Sequence, residues 1–189
     1  MNAGGRAERS RRRPWVQPSD ALSTAVQPSR ETLGPALTAD DLAGFWLLQD
    51  APRQVLETLA TAGERRHYSP GDAVFHQGDV PGGLYLVGAG SVRVVRRSDD
   101  AELVLGTIEA GDCVGEIGVI DGKLRAAMVV AATVSTLHFL PADAFLDVVE
   151  RTPEVAMKLL GMLCARVRRT DSLAIDLPGT RAQRWQPGL

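Results

Sequence analysis

The sequence predicts a mainly β domain, an antiparallel barrel or jelly roll with helices before and after it. From Arg65 onward, short alternating apolar and polar segments are separated by glycine-bearing turns. Ahead of them lie two stretches with apolar residues at helical spacing, and two more follow. At 189 residues, with 44% hydrophobic residues and a formal net charge of −2, the chain suits one good core. It is neither a disordered chain nor a strongly basic nucleic-acid binder.

Residues 1–36 contain Arg11-Arg12-Arg13, four prolines and scattered Ser and Thr, a composition that cannot bury a core and reads as a disordered basic arm. Six arginines face three acids there, so the rest of the chain, with fifteen bases against twenty acids, is mildly acidic. Solvated arginines are the expectation for such an arm, ahead of specific contacts to nucleic acid. The predicted domain spans 37–171, and 172–189, broken by Pro178-Gly179 and Pro187-Gly188, reads as a flexible tail.

Within the domain, Thr38 with Asp41 three residues on predicts a helix N-terminus, with Leu42, Phe45, Trp46, Leu47 and Leu48 following. A second helix is predicted from Pro52 to near Gly63. Strands are then predicted around His67-Tyr68, at 73–76, 84–87, 92–95 and 103–108, and as a pair within 128–140. Turns at Pro70-Gly71-Asp72, Gln77-Gly78-Asp79, Gly88-Ala89-Gly90 and Ala110-Gly111-Asp112 separate them. Pro141 starts a further helix carrying Phe145, Leu146, Val148 and Val149. Pro153 opens the last one, about 154–170, at a position where a helix tolerates proline. Its apolar residues cover more than one face, more than a helix on a single core needs, so a dimer built by this helix against its twin is expected. Arg166, Arg168 and Arg169 are read as complementing the helix C-terminus.

The stretch from Val114 to Val129 carries the chemistry. Gly115 lets backbone approach a ligand closely, and Glu116 offers an acceptor for a hydroxyl. Residues 117–121 suffice for one helical turn, whose first N–H groups lack partners within the helix and suit an anion; Gly122 can end it. Arg125 supplies a planar, permanently charged fork for two phosphate oxygens. A ligand with both hydroxyls and a phosphate fits this spacing.

Gly115-Glu116-Ile117-Gly118-Val119 followed by Arg125-Ala126-Ala127 resembles the phosphate-binding cassette of cyclic nucleotide-binding domains, the family of catabolite activator protein and the regulatory subunit of cyclic AMP-dependent kinase. Leu124 stands where many members have proline. The resemblance covers roughly 37–171. It implies a jelly roll in which Glu116 meets the ribose 2′-hydroxyl and Arg125 the cyclic phosphate, with backbone N–H groups near Ile117, Ala126 and Ala127 completing the cradle. It matches Thr170 to a threonine that reaches an adenine base. Ala126 stands where cyclic GMP-selective members have threonine, so the resemblance favours cyclic AMP over cyclic GMP.

Other classes fit poorly. No run approaches the length of a membrane span, and the amino terminus lacks the apolar core of a secretory signal, so a cytoplasmic protein is expected. Cys113 and Cys164 have no paired spacing. His67, His76 and His138 stand apart, unlike the clustered ligands of a metal-binding barrel, and no catalytic triad is legible. Neither a metal nor catalysis is expected. Residues 172–189 are too few for a winged helix-turn-helix, which argues against DNA as a partner. The resemblance therefore implies a cyclic nucleotide sensor acting on a separate effector protein. The alternatives are a ligand-independent dimerisation module with a degenerate pocket, and a transcription regulator lacking its own helix-turn-helix.

Overall fold

The computed structural model of the chain describes residues 36–98 and 101–175, apart from the side chains at 101 and 169–175. Residues 1–35 of the expected arm and 176–189 of the expected tail lie outside it.

α1 (Ala39–Ala43) opens with a capping box in which the Asp41 N–H donates to Thr38 Oγ1 at 3.2 Å and the Thr38 N–H donates to Asp41 Oδ2 at 2.9 Å. The predicted helix does not continue through Leu48. After Gly44 the chain proceeds by three-residue turns, with Phe45 N–H bonded to Leu42 O, Leu48 N–H to Phe45 O and Ala51 N–H to Leu48 O. These turns bury Phe45, Leu47 and Leu48 together while Trp46 faces solvent. An α-helix would have spread those three around its circumference. α2 (Arg53–Ala62) follows as predicted and ends at Gly63.

Among the described residues, eight strands form two antiparallel sheets. β1 (Glu64–Tyr68), β3 (Gly83–Ala89), β6 (Cys113–Val114) and β8 (Ser135–Pro141) make one, in the order β1-β8-β3-β6. β2 (Ala73–Phe75), β4 (Ser91–Ser98), β5 (Ala101–Glu109) and β7 (Met128–Ala131) make the other, in the order β2-β7-β4-β5. β3 shows how the layers divide. Tyr85 and Val87 join the core between the sheets with Val74, Val92, Val129 and Leu137, whereas Leu84 and Leu86 join a second core against the helices. The period of two is thereby buried on both faces.

α4 (Ala142–Arg151) and α5 (Pro153–Ile175) complete the second core through Phe145, Val148, Val155 and Leu159. Fully burying Phe145 stabilises this layer by about 1.5–3 kcal/mol. α5 continues past the boundary expected at Asp171. Met157, Leu160 and Val167 lie exposed on it, away from the core that takes Val155 and Leu159.

Candidate functional site

α3 (Glu116–Asp121) is the one-and-a-half-turn helix of the cassette, framed by Gly115 at φ +88° and Gly122 at φ +67°. Both glycines occupy the left-handed region that side-chain-bearing residues avoid. At Gly115 space is a second constraint, because a Cβ there would lie 2.7 Å from Arg125 Nη1.

A cavity of about 200 Å³ lies between α3, the second sheet and α5. Gly115, Glu116, Ile117, Arg125, Ala126 and Ala127, which are distributed over positions 115–127, all line it. Thr170 falls within α5, but its side chain lies outside the described residues.

Arg125 is 5% exposed. Its Nη1 and Nη2 donate to the carbonyl oxygens of Gly115 and Gly83, and its guanidinium lies over the Phe75 ring, 4.1 Å from the centroid. Burial draws its pKa below the ordinary arginine value, opposed by Tyr85, Asp79 and Glu116, yet a guanidinium remains charged at neutral pH. The main chain holds it in place as well. Gly78 N–H donates to Arg125 O and Arg125 N–H donates to Asp79 O, both at 2.9 Å, while Asp79 Oδ2 accepts from His76 N–H at 2.7 Å. The Gln77-Gly78-Asp79 turn thus steadies a loop that has leucine rather than proline before the arginine.

Glu116 is 1% exposed, a burial that a carboxylate tolerates only with a partner. That partner is Arg166 from α5, whose Nη1 pairs with Glu116 Oε1 while Nη2 donates to Cys113 O and lies 3.4 Å from Asp112 Oδ1. Burial opposes the charge of Arg166, but Glu116, Cys113 and Asp112 outweigh it and hold its pKa above the ordinary value. At this site two buried polar atoms lack a hydrogen-bond partner among the described residues: Glu116 Oε2, an acceptor, and Arg125 Nε, a donor.

Arg166 is the residue that sequence reasoning missed. Read there as sitting at a helix end and favouring the dipole, it instead lies well inside α5, which runs on to Ile175, and reaches the cavity. A guanidinium amid the apolar residues of that helix was the available signal. Phe75 and Thr107, also in the lining, carried no signal of their own. Cys113 is buried, its thiol pushed upward in pKa by desolvation first and by Glu116 next, with Sγ 3.5 Å from Met162 Sδ; it packs as an inert thiol. Among the described residues no group of three or more His, Cys, Asp or Glu side chains comes together to hold a metal.

The two-sheet roll thus carries a cavity lined by a buried carboxylate, Glu116, and a buried guanidinium, Arg125. Residues 65–152 match the family model of the cyclic nucleotide-binding domain. The domain belongs to that family, in the superfamily of catabolite activator protein and the regulatory subunits of cyclic AMP-dependent kinase. The cyclic AMP receptor protein of Thermus thermophilus is 36% identical over 115 residues, 60% of this chain and 53% of that protein. The chain therefore spans about half the length of that relative. The crystal structure of the Thermus thermophilus catabolite activator protein superposes with a TM-score of 0.58 at 31% identity, covering 67% of this chain and 60% of that one. A cyclic nucleotide-binding domain from Methylobacillus flagellatus shares the fold, with a TM-score of 0.62 at 23% identity over 76% of this chain and 84% of that one.

Proposed function

We propose that this protein is a cyclic nucleotide-binding regulator, non-catalytic and cytoplasmic, that takes cyclic AMP in preference to cyclic GMP and signals to a separate effector protein. The observation that carries the reading is the pair of unsatisfied buried atoms. Leaving a buried donor or acceptor unmade costs about 1–3 kcal/mol each, and a ribose hydroxyl on Glu116 Oε2 with a phosphate oxygen on Arg125 Nε relieves both at once. Backbone at Ile117, Ala126 and Ala127 completes the cradle in this reading, and the methyl side chain of Ala126 supports cyclic AMP by offering no hydroxyl to guanine. No helix among the described residues is long and apolar enough to cross a membrane.

Arg166 supplies the route by which binding reaches α5. It occupies Glu116 from the helix side, so a ribose hydroxyl on the same carboxylate alters the hold of the sheet on the helix. A ligand moves that equilibrium only by its differential affinity for the two states. We assign the exposed stripe of Met157, Leu160, Cys164 and Val167 to a second copy of this chain, because spacings of three and four residues make the seam of a paired helix. Sedimentation analysis should find a dimer that Leu160→Glu converts to monomer; a wild-type monomer would refute this assignment.

The competing reading, a ligand-independent dimerisation module, draws on the same Arg166–Glu116 pair, which partly satisfies the pocket from within. Calorimetric titration with cyclic AMP and cyclic GMP, beside Arg125→Ala, separates the two. Micromolar or tighter binding of cyclic AMP, lost in the variant, supports the sensor. Silence from folded protein free of copurified nucleotide supports the module.

A further inference from the structure

Arg125 poses a physical problem that its hydrogen bonds do not solve. It is a buried cation with no carboxylate ion pair among the described residues, held by two carbonyl oxygens and the face of Phe75. Arg66, the other guanidinium of the same aromatic cluster, is built differently. It lies 4.1 Å from the centroid of Phe139 and donates to Tyr85 Oη at 3.0 Å, but Glu64 also neutralises it through two hydrogen bonds. A carboxylate on Arg125 would compete with an incoming anion. A ring face attracts the cation through its quadrupole and takes up no N–H donor.

The surroundings of Phe75 suit that task. It ends β2, opposite Val129 of β7, and its ring stacks on Tyr85 at 5.9 Å between centroids. Tyr85 is in turn fixed by Arg66 and packs 5.2 Å from Phe139. The Phe75 ring therefore has a rigid backing on the side of Tyr85 and meets the guanidinium of Arg125 as well.

We propose that Phe75 is the positioning residue of the anion site: its ring holds the desolvated Arg125 guanidinium in plane, unneutralised and with Nε free for the ligand's phosphate. The ligand in this statement rests on the cyclic nucleotide reading; the stack itself does not.

The test measures cyclic AMP affinity for the full chain carrying Phe75, Phe75→Leu, Phe75→Tyr, or 4-fluoro- and pentafluorophenylalanine at position 75. The Arg125 Nε–H resonance, assigned by its loss in Arg125→Ala, is followed in the ligand-free proteins. Phe75→Leu should weaken binding roughly three- to thirtyfold and abolish the ring-current shift of that resonance, and Phe75→Tyr should restore both. Affinity should fall in steps with fluorination, which drains the ring's negative face with little change of shape. Equal affinity across the fluorinated series, or wild-type affinity in Phe75→Leu, overturns the proposal. If the wild type binds no cyclic nucleotide, the function proposed above fails separately. The resonance still decides the stack: a shift lost in Phe75→Leu upholds it, and an unshifted wild-type signal overturns it.

Discussion

Two arginines reach the same cavity and are held in opposite ways. Arg125, on the cassette, is fixed by carbonyl oxygens, a ring face and the Gly78-Asp79 turn, with no carboxylate ion pair among the described residues. Arg166, on α5, is tied to the carboxylate of Glu116. The first arrangement leaves net positive charge where the cradle is rigid. The second places a cancelled charge at the joint between the roll and its longest helix. A ligand bringing an anion and a hydroxyl would meet the unpaired Nε of Arg125 and the unpaired Oε2 of Glu116, on the same carboxylate that holds Arg166. Rigid capture and a displaceable contact together are what a sensor requires, and neither suffices alone.

The contrast can be broken at either end. Arg125→Ala removes the fixed charge and should weaken cyclic AMP binding by about 2–5 kcal/mol, roughly thirtyfold to a few thousandfold by calorimetry. Unchanged affinity would place the ligand elsewhere. Glu116→Gln keeps the shape but loses the charged acceptor, and should cost about 1.5–3 kcal/mol against cyclic AMP. The same substitution should cost much less against 2′-deoxy cyclic AMP, which has no hydroxyl to lose. Equal penalties for the two nucleotides would remove Glu116 from the ribose.

The smallest predicted effect lies outside the cavity. His138 on β8 is buried edge-on to Phe45, with ring centroids 5.7 Å apart, and its Nδ1 has no hydrogen-bond partner among the described residues. Burial first, then Arg65 and His67, lower its pKa, and Asp41 opposes them. The unfolded chain takes up the proton at the ordinary value of 6.5 and the folded chain only below it. Stability is therefore full above that pH and declines as pH falls through it, with a slope of at most about 1.4 kcal/mol per unit. Urea unfolding between neutral and acid pH should show this decline, and His138→Gln should flatten it.

What the sequence revealed follows the same division. The cassette was legible because its parts are contiguous: Gly115, Glu116 and Arg125 sit in a fixed local pattern, so spacing reports geometry. The roll was legible from its turns, and Gly71, Gly78, Gly90 and Gly111 all adopt positive φ in them. The end of α1 was not, because Leu42, Phe45 and Trp46 follow helical spacing while the joint burial of Phe45, Leu47 and Leu48 selects tighter turns. Nor was the role of Arg166, which meets Glu116 only once α5 has folded back from fifty positions away. Phe75 was hidden for a related reason, since a ring on a short strand signals core until the arginine above it is known.

We propose that Glu116 Oε1 holds α5 through Arg166 in the free protein and that a ribose hydroxyl on Oε2 of the same carboxylate weakens that hold in the bound one. Amide hydrogen exchange across residues 160–168, with and without saturating cyclic AMP, tests it most directly in the wild type and in Arg166→Ala. The wild type should show a ligand-dependent change that is lost in the variant although cyclic AMP still binds. The same change in both proteins, or none in the wild type, would contradict it.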